Sequence, residues 1–286
     1  MIWSDAQQRL ARAVFKATQA GLRHAPMDHP VSVGNVLLHS FPRVYLPAVQ
    51  HGTVSGAAVT AAALTVRDAT TDSNRFTGVI PAGIGQPMIS ANRGALYCSK
   101  DTAAQMAEVL HYAPGSAARP PGSLPFTLQT LQGKCMVLMK PLRDINLVTL
   151  DSTEPQVQQF FDSLQRSADV KAALSALRYT DITQAVFSPT DYAAARGLGL
   201  GLVKHPDIDG LEIGSARSFE TLGATQSVFQ SGTNVLVFGP DQVPLTRVLR
   251  IVSVHLIDPD ASGRWHVLTL KPNAVGDFVV ASSTPL

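Results

Sequence analysis

The residues able to carry chemistry fall into a few clusters, and most of these fail a test of context. Gly197-Leu198-Gly199-Leu200-Gly201 invites comparison with a dinucleotide loop. Such a loop follows a strand and opens a helix, so that phosphate meets the helix N-terminus. Here a helical pattern comes first, so the run reads as a helix terminator. The eight histidines are scattered, with no HExxH and no paired ligand spacing, and no zinc site is expected. There is no Gly-x-Ser-x-Gly elbow and no Walker sequence, which removes the commonest hydrolase and NTPase routes. Cys98 and Cys135 offer at most one disulfide in a chain large enough to need none, and read as free, buried thiols in a reducing compartment.

Four short segments remain: Asn74-Arg75-Phe76, then Gly94-Ala95-Leu96-Tyr97-Cys98-Ser99, then Ala107-Glu108-Val109-Leu110-His111, and much later Asp209-Gly210-Leu211-Glu212-Ile213-Gly214-Ser215-Ala216-Arg217. Each residue type has a plain structural use. A lone helix glutamate such as Glu108 is mostly a solvated acid, a strand tyrosine such as Tyr97 a half-buried packing residue, Arg75 a loop cation and Ser215 a turn hydroxyl. Their order and spacing, however, resemble the RES-domain family, named for its Arg, Glu and Ser. That family shows an arginine followed by an aromatic residue, a strand ending in tyrosine, a helix with an AxxEV element, a late DG-leucine and Ser-x-Arg, and a strand like Thr233-Asn234-Val235-Leu236-Val237-Phe238. The resemblance covers roughly residues 70 to 240. One departure stands out: Val79 to Asn92 looks like an insertion between Arg75 and Tyr97, so Arg93 competes with Arg75 for the arginine role. Phe76 and Gly78 after Arg75 favour the latter.

The resemblance implies an ADP-ribosyltransferase-like fold, with mixed or antiparallel sheets and flanking helices, and NAD⁺ as a consumed substrate rather than a cofactor. Family members hydrolyse NAD⁺, phosphorolyse it, or transfer ADP-ribose to a protein. All three break the nicotinamide–ribose bond, through an oxocarbenium-like ribose. By the same resemblance Glu108 holds the ribose and opposes the developing cation. Arg75 presents a planar charged fork to the diphosphate, Tyr97 an aromatic face to nicotinamide or ribose, and Ser215 a hydrogen bond at the nicotinamide end. Glu108, Tyr97 and Arg75 are thus the expected catalytic set, with Arg75, Tyr97 and Ser215 binding the dinucleotide and no metal. A toxin of this kind implies a neutralising partner, a cognate antitoxin or an immunity protein. The competing class is a binding module without catalysis.

These residues need elements to hold them. Ser4 is a good N-cap for a helix to about Ala20, with Ala6, Leu10, Val14 and Ala17 on one face and Gly21 as the stop. Pro and Gly punctuation from His29 to about Val54, with apolar pairs such as Val44-Tyr45-Leu46, suggests short strands and turns. Val59 to Asp68 is ambiguous between helix and strand. Asp72 to Gly78 and Gly83 to Pro87 read as loops, Ala95 to Cys98 as a strand, and Asp101 as the cap of a helix to about Tyr112 with Ala103, Met106, Ala107 and Leu110 on its core stripe. Phe126 to Leu131, Lys134 to Lys140 and Ile145 to Leu150 look like strands. Thr153 before Glu154-Pro155 opens a helix lined by Val157, Phe160, Phe161 and Leu164. A second helix covers Val170 to Leu177, and a third, capped by Ser188-Pro189-Thr190, dies in the glycine run. Leu211 to Ile213, Asn234 to Phe238, Val248 to Leu256 and His266 to Leu270 complete the strands.

Runs of strands with segregated helices give an α+β class with a mainly antiparallel or mixed sheet. Residues 1–30 form an expected helical extension, and 31–286 the RES-like domain with a C-terminal β extension. Hydrophobic residues at 45% and charged residues at 15% describe a folded globular chain. A net charge of +2 with dispersed basic residues argues against nucleic acid. No apolar run reaches membrane-span length and no signal region follows basic residues. The expectation is a soluble protein of the cytoplasm, or one delivered into a target cell's cytoplasm by a non-Sec route.

Overall fold

The computed structural model describes residues 3–26, 29–66, 75–91, 93–102, 105, 128–150, 154–188, 190–214, 233–240 and 242–286. Short apolar strands pair into a single sheet. They are β1 (His29–Val31), β2 (Leu37–Pro42), β3 (Thr53–Val54), β4 (Arg93–Ser99), β5 (Lys134–Pro141), β6 (Ile145–Thr149), β7 (Gly210–Gly214), β8 (Thr233–Pro240), β9 (Leu249–Pro259), β10 (Trp265–Pro272) and β11 (Phe278–Pro285). The spatial order is β1-β6-β7-β8-β4-β2-β5-β9-β10-β11-β3. Among these pairs β6 and β7 run parallel and the rest antiparallel. A parallel pair needs a long crossover, and the chain between β6 and β7 supplies it as four helices: α4 (Pro155–Gln165), α5 (Ala168–Ala176), α6 (Ile182–Val186) and α7 (Ala193–Val203). The class is therefore α+β, with a large, mostly antiparallel open sheet.

Strand alternation divides the core in two. Ala95 and Tyr97 of β4, Leu236 and Phe238 of β8, and Leu211 and Ile213 of β7 face a helical layer. Leu96, Cys98, Val235 and Val237 face the opposite way, against β5, β9 and α2 (Gly56–Leu64). In the helical layer lies α1 (Asp5–Gly21), started by a reciprocal capping box between Ser4 and Gln7, with Leu10, Ala11, Val14 and Phe15 buried. Val157, Phe160, Phe161 and Leu164 of α4 are buried as the sequence pattern predicts, behind Pro155 at the helix start. Among the described residues no helix is long and apolar enough to cross a membrane.

Three sequence expectations give way. The glycine run does not end a helix, because Gly197, Gly199 and Gly201 lie inside α7, all buried. A Cβ at Gly197 would stand 2.2 Å from the Ala11 carbonyl oxygen, at Gly199 1.9 Å from that of Phe76, and at Gly201 2.7 Å from the Thr18 side chain. Close approach of α1 and of the 75–78 loop to α7 thus requires glycine, and packing outweighs its helix penalty of about 1 kcal/mol per residue. The expected strand at Phe126 to Leu131 is, over its described part, the start of a short helix, α3 (Leu128–Gln132), which Gly133 separates from β5. Val44 and Tyr45 sit exposed in a single 3₁₀ turn (Arg43–Tyr45), because Pro42 ends β2 there. The Val59 to Asp68 ambiguity resolves to helix over Gly56–Leu64, in keeping with its alanine content. One strand, β11, had no sequence assignment. Of the helix expected from Asp101, Thr102 and Gln105 are helical and the remainder lies outside the described residues.

Candidate functional site

Tyr97 lies on the helical side of β4, opposite Leu236 of β8. The β2–β4 contact is a single register pair, Leu38 with Ser99, and the Nδ1 of His39 reinforces it at 2.6 Å from the Tyr97 carbonyl oxygen. Arg75 precedes the fully buried Phe76, whose carbonyl is the group Gly199 admits against α7. Its Nη2 donates to the Ser188 carbonyl at 2.9 Å, and its guanidinium lies 5.1 Å from the ring centre of Tyr192. The start of α7 is closed by Asp191, whose carboxylate accepts from the Ala193 amide at 2.9 Å and from the Tyr179 hydroxyl at 3.2 Å. Burial, with the Asp191 charge adding to it, raises the Tyr179 pKa above its ordinary value although Ser188 opposes this. The positive end of this helix therefore already holds a carboxylate.

One turn into α7, next to Tyr192 on the same helical face, stands Arg196. It is 4% exposed, and its guanidinium lies 5.4 Å from the ring centre of Trp3. Burial lowers its pKa from the ordinary value, and Tyr97 and Tyr192 oppose that shift. Arg75 over the Tyr192 ring and Arg196 over the Trp3 ring are thus two separate cation–ring pairs, one helical turn apart at the start of α7.

Arg93 goes elsewhere. Its Nη1 donates to the Val203 carbonyl at 2.7 Å and its guanidinium lies 5.9 Å from the Phe238 ring centre. Burial lowers its pKa, opposed by Asp209. Val203 is the last residue of α7, about 10 Å along the helix axis from Arg196 at 1.5 Å per residue. The structure brings Arg75 to the start of α7 and Arg93 to its end. The intervening segment, read as an insertion, folds back on itself through the bridges Ile80–Ile89 and Gly83–Gln86. The buried Arg12 of α1 clamps it, donating to the carbonyls of Pro81 and Pro87 at 2.7 Å each.

Glu108 and Ser215 lie outside the described residues. The strand ends nearest to them along the chain, Ser99 and Gly214, are at the Tyr97 end of the sheet, where Ser99 pairs with Asn234 and Gly214 with Thr233. Ser99 donates to the Asn234 side chain at 2.8 Å, the Asp101 carboxylate accepts from the Thr233 amide at 3.2 Å, and Lys100 pairs with Glu212 at 2.6 Å. Asp209-Gly210 is structural: Asp209 accepts two bonds from Arg143 and one from the Asn146 amide, and a Cβ at Gly210 would stand 2.1 Å from the Leu236 carbonyl oxygen.

No family model, curated protein or solved structure matches this chain. The site is therefore weighed on its geometry against the other polar clusters. Ser283, His266 and Asp260 form a hydrogen-bonded chain, with Ser283 Oγ 3.0 Å from His266 Nδ1 and His266 Nε2 3.1 Å from Asp260. Asp260, held near a pKa of about 2 chiefly by the Ser262 hydroxyl, also accepts the Ser262 and Arg264 amides and so organises the turn between β10 and β9. The strand from Ala281 to Leu286 is exposed throughout, so no wall encloses a substrate at Ser283. A second chain, Ser253–His255–Thr269, spans 2.9 and 3.2 Å on β9 and β10, and burial lowers the His255 pKa. In an open cleft of about 550 Å³, the lining carboxylate, Asp258, is held in an ion pair with Arg43. Among the described residues no group of three His, Cys, Asp or Glu side chains suits a metal. Both cysteines are free and buried, as expected.

Sequence reasoning missed Arg196, Tyr192 and Trp3. The signal was present: Arg196 is the one charge in the otherwise apolar run Ala193 to Val203, and a charge in a buried helix marks a position worth examining.

Proposed function

We propose that this chain consumes NAD⁺ by cleaving its nicotinamide–ribose bond, as a toxin-like glycohydrolase. The observation that carries the reading is that Arg75 lies over the Tyr192 ring at the start of α7, one helical turn from the buried Arg196, while Tyr97 faces the same helical layer from β4. Arg75 supplies the fork for the diphosphate, and Tyr97 and Tyr192 supply aromatic faces for a cationic ring. Glu108 opposes charge developing on the ribose, and Ser215 bonds the nicotinamide end. The mostly antiparallel α+β sheet with a helical layer accords with the ADP-ribosyltransferase-like architecture that the RES resemblance implies. Bond cleavage sends the C–N electron pair out with neutral nicotinamide. Water then adds its oxygen to the ribose carbon and releases a proton. No acid is needed for the leaving group. In a cell such an activity requires a neutralising partner, an antitoxin or immunity protein.

Purified protein and its Glu108→Ala variant, incubated with NAD⁺, test this by release of nicotinamide and ADP-ribose. Equal amounts of both from wild type, and neither from the variant, support hydrolysis. Release that needs inorganic phosphate makes the enzyme a phosphorylase, and release that needs an added protein, with ADP-ribose attached to it, makes it a transferase. Release from Glu108→Ala at the wild-type rate overturns the mechanism. No release under any of these conditions leaves a binding module.

A further inference from the structure

We infer that Ser283 is an activated surface nucleophile, a covalent modification site that takes acyl groups from small activated esters and thioesters. This inference stands apart from the NAD⁺-consuming reading and uses none of its residues. The arrangement diagnostic of such chemistry is a hydroxyl within hydrogen-bond reach of a base that a third group holds in place. Ser283 Oγ lies 3.0 Å from Nδ1 of His266, and Nε2 of His266 lies 3.1 Å from Oδ2 of Asp260. An ionised carboxylate only accepts hydrogen bonds, so Nε2 carries the imidazole proton and Nδ1 is left to accept from the serine hydroxyl. Asp260 is ionised at neutral pH, held down to about 2 chiefly by the Ser262 hydroxyl. Its two oxygens divide the work. Oδ1 accepts the Ser262 hydroxyl and the Ser262 and Arg264 amides, which closes the turn without His266, while Oδ2 is directed at the imidazole. Across β9 the residue paired with His266 is Asp258, whose carboxylate is engaged by Arg43.

The base is shielded and the nucleophile is open. The His266 side chain is 20% exposed and fixed at both nitrogens, whereas Ser283 lies in the exposed part of β11. The Leu286 amide bonds the Trp265 carbonyl, so by the alternation of an antiparallel ladder the Ser283 amide turns away from β10. Among the described residues β3 pairs with β11 at Phe278 and Val279 and stops short of Ser283. That amide is therefore a donor for the oxyanion that forms when Ser283 is acylated. Two contrasts lie close by. His255 sits between the hydroxyls of Ser253 and Thr269, where hydroxyls rather than a carboxylate hold both nitrogens, and Ser253 is 4% exposed. Ser282 and Thr284 are as open as Ser283 but lie on the opposite face of β11 from His266.

In the step, Ser283 Oγ bonds to the acyl carbon and its proton passes to His266 Nδ1. The C–O or C–S bond of the ester breaks, its electron pair leaves with the oxygen or sulfur, and His266 returns the proton to that group. Ser283 ends as an ester and His266 as neutral imidazole. The test incubates full-length protein with p-nitrophenyl acetate at neutral pH and follows acetylation of each peptide with time. A general base contributes on the order of 100-fold, so Ser283 should acetylate about 100-fold faster than Ser282 or Thr284, and Ser253 should stay unlabelled. With no enclosing wall, the rate should rise in proportion to ester concentration. His266→Asn should slow Ser283 labelling about 100-fold at unchanged melting temperature. Asp260→Asn keeps a side-chain oxygen for the turn amides and should slow it about tenfold or more. Ser283 labelled no faster than Ser282, or labelled at the wild-type rate in His266→Asn, overturns the inference. If His266→Asn does not fold, Asp260→Asn decides: a rate at least about tenfold lower supports the inference, and the wild-type rate overturns it.

Discussion

The two ends of α7 hold arginines of similar kind in opposite circumstances. At the far end Arg93 reaches the last helical carbonyl, where the helix dipole favours a cation, and Asp209 lies near enough to support its charge. At the near end Arg196 is more deeply buried, with the Trp3 ring beside its guanidinium. One arginine completes a helix end, and the other packs against the Trp3 ring inside the helical layer. The difference teaches that burial of a charge is not itself a sign of function. What the charge is bonded to decides the matter.

The sharpest way to break this comparison is to move both ends at once. Gly199→Ala places a Cβ on the Phe76 carbonyl, where less than 2 Å is available. It should cost about 3 kcal/mol or more, read from the urea midpoint, and should disturb Arg75 through its neighbour. A wild-type midpoint would mean that α7 and the 75–78 loop do not pack as described. Next in size, Arg93→Met should lower stability by about 1–3 kcal/mol, because the Val203 carbonyl loses its donor in a partly buried place. Its turnover per folded molecule should stay near wild type. A large loss of turnover without a loss of stability would exchange the roles assigned to the two ends.

Asp209 sharpens the far end through pH. Burial alone would raise its pKa, but hydrogen bonds from Arg143 and the Asn146 amide, with the charges of Arg143 and Arg93, bring it below the ordinary carboxylate value. A depressed folded pKa contributes stability that is fully present above the unfolded value near 3.9 and is lost as pH falls through the folded value. Asp209→Asn should therefore cost about 1 kcal/mol at neutral pH, discounted for partial exposure, and the gap to wild type in denaturant midpoints should close below about pH 4. A gap constant down to acid pH would remove Asp209 from the account. The smallest effect concerns the thiols. Burial pushes Cys135 up to about 12 and Cys98 higher still, so neither should react with iodoacetamide at pH 8 in the native state. Cys98 sits back to back with Tyr97 on β4, and its faster labelling in an Arg196 variant would report opening at the near end.

Much of the frame was legible because its signals are local. Ser4 with Gln7 announces α1, Pro155 announces α4, and short apolar runs mark β4, β5 and β8, of which β4 and β8 bury residues on both faces. The glycine run was misread for a physical reason. Glycine is a poor helix former and a good helix terminator in isolation, and the feature that overrides this is a close approach by the backbone of Ala11 and Phe76. The segment at Phe126 carried too few apolar residues to separate a short helix from a strand. Trp3 and Tyr192 escaped notice because their meaning lies in the partner each contacts.

The sequence by itself determined the α+β class and the chemical types of Arg75, Tyr97, Glu108 and Ser215, while the division into two cores came with the structure. Only the tertiary structure decided that Arg75 meets the start of α7, while Arg93 is carried to its last carbonyl. Periodicity and capping act over a few residues and so are written locally. Which ends meet depends on where a glycine stripe lets one backbone settle against another.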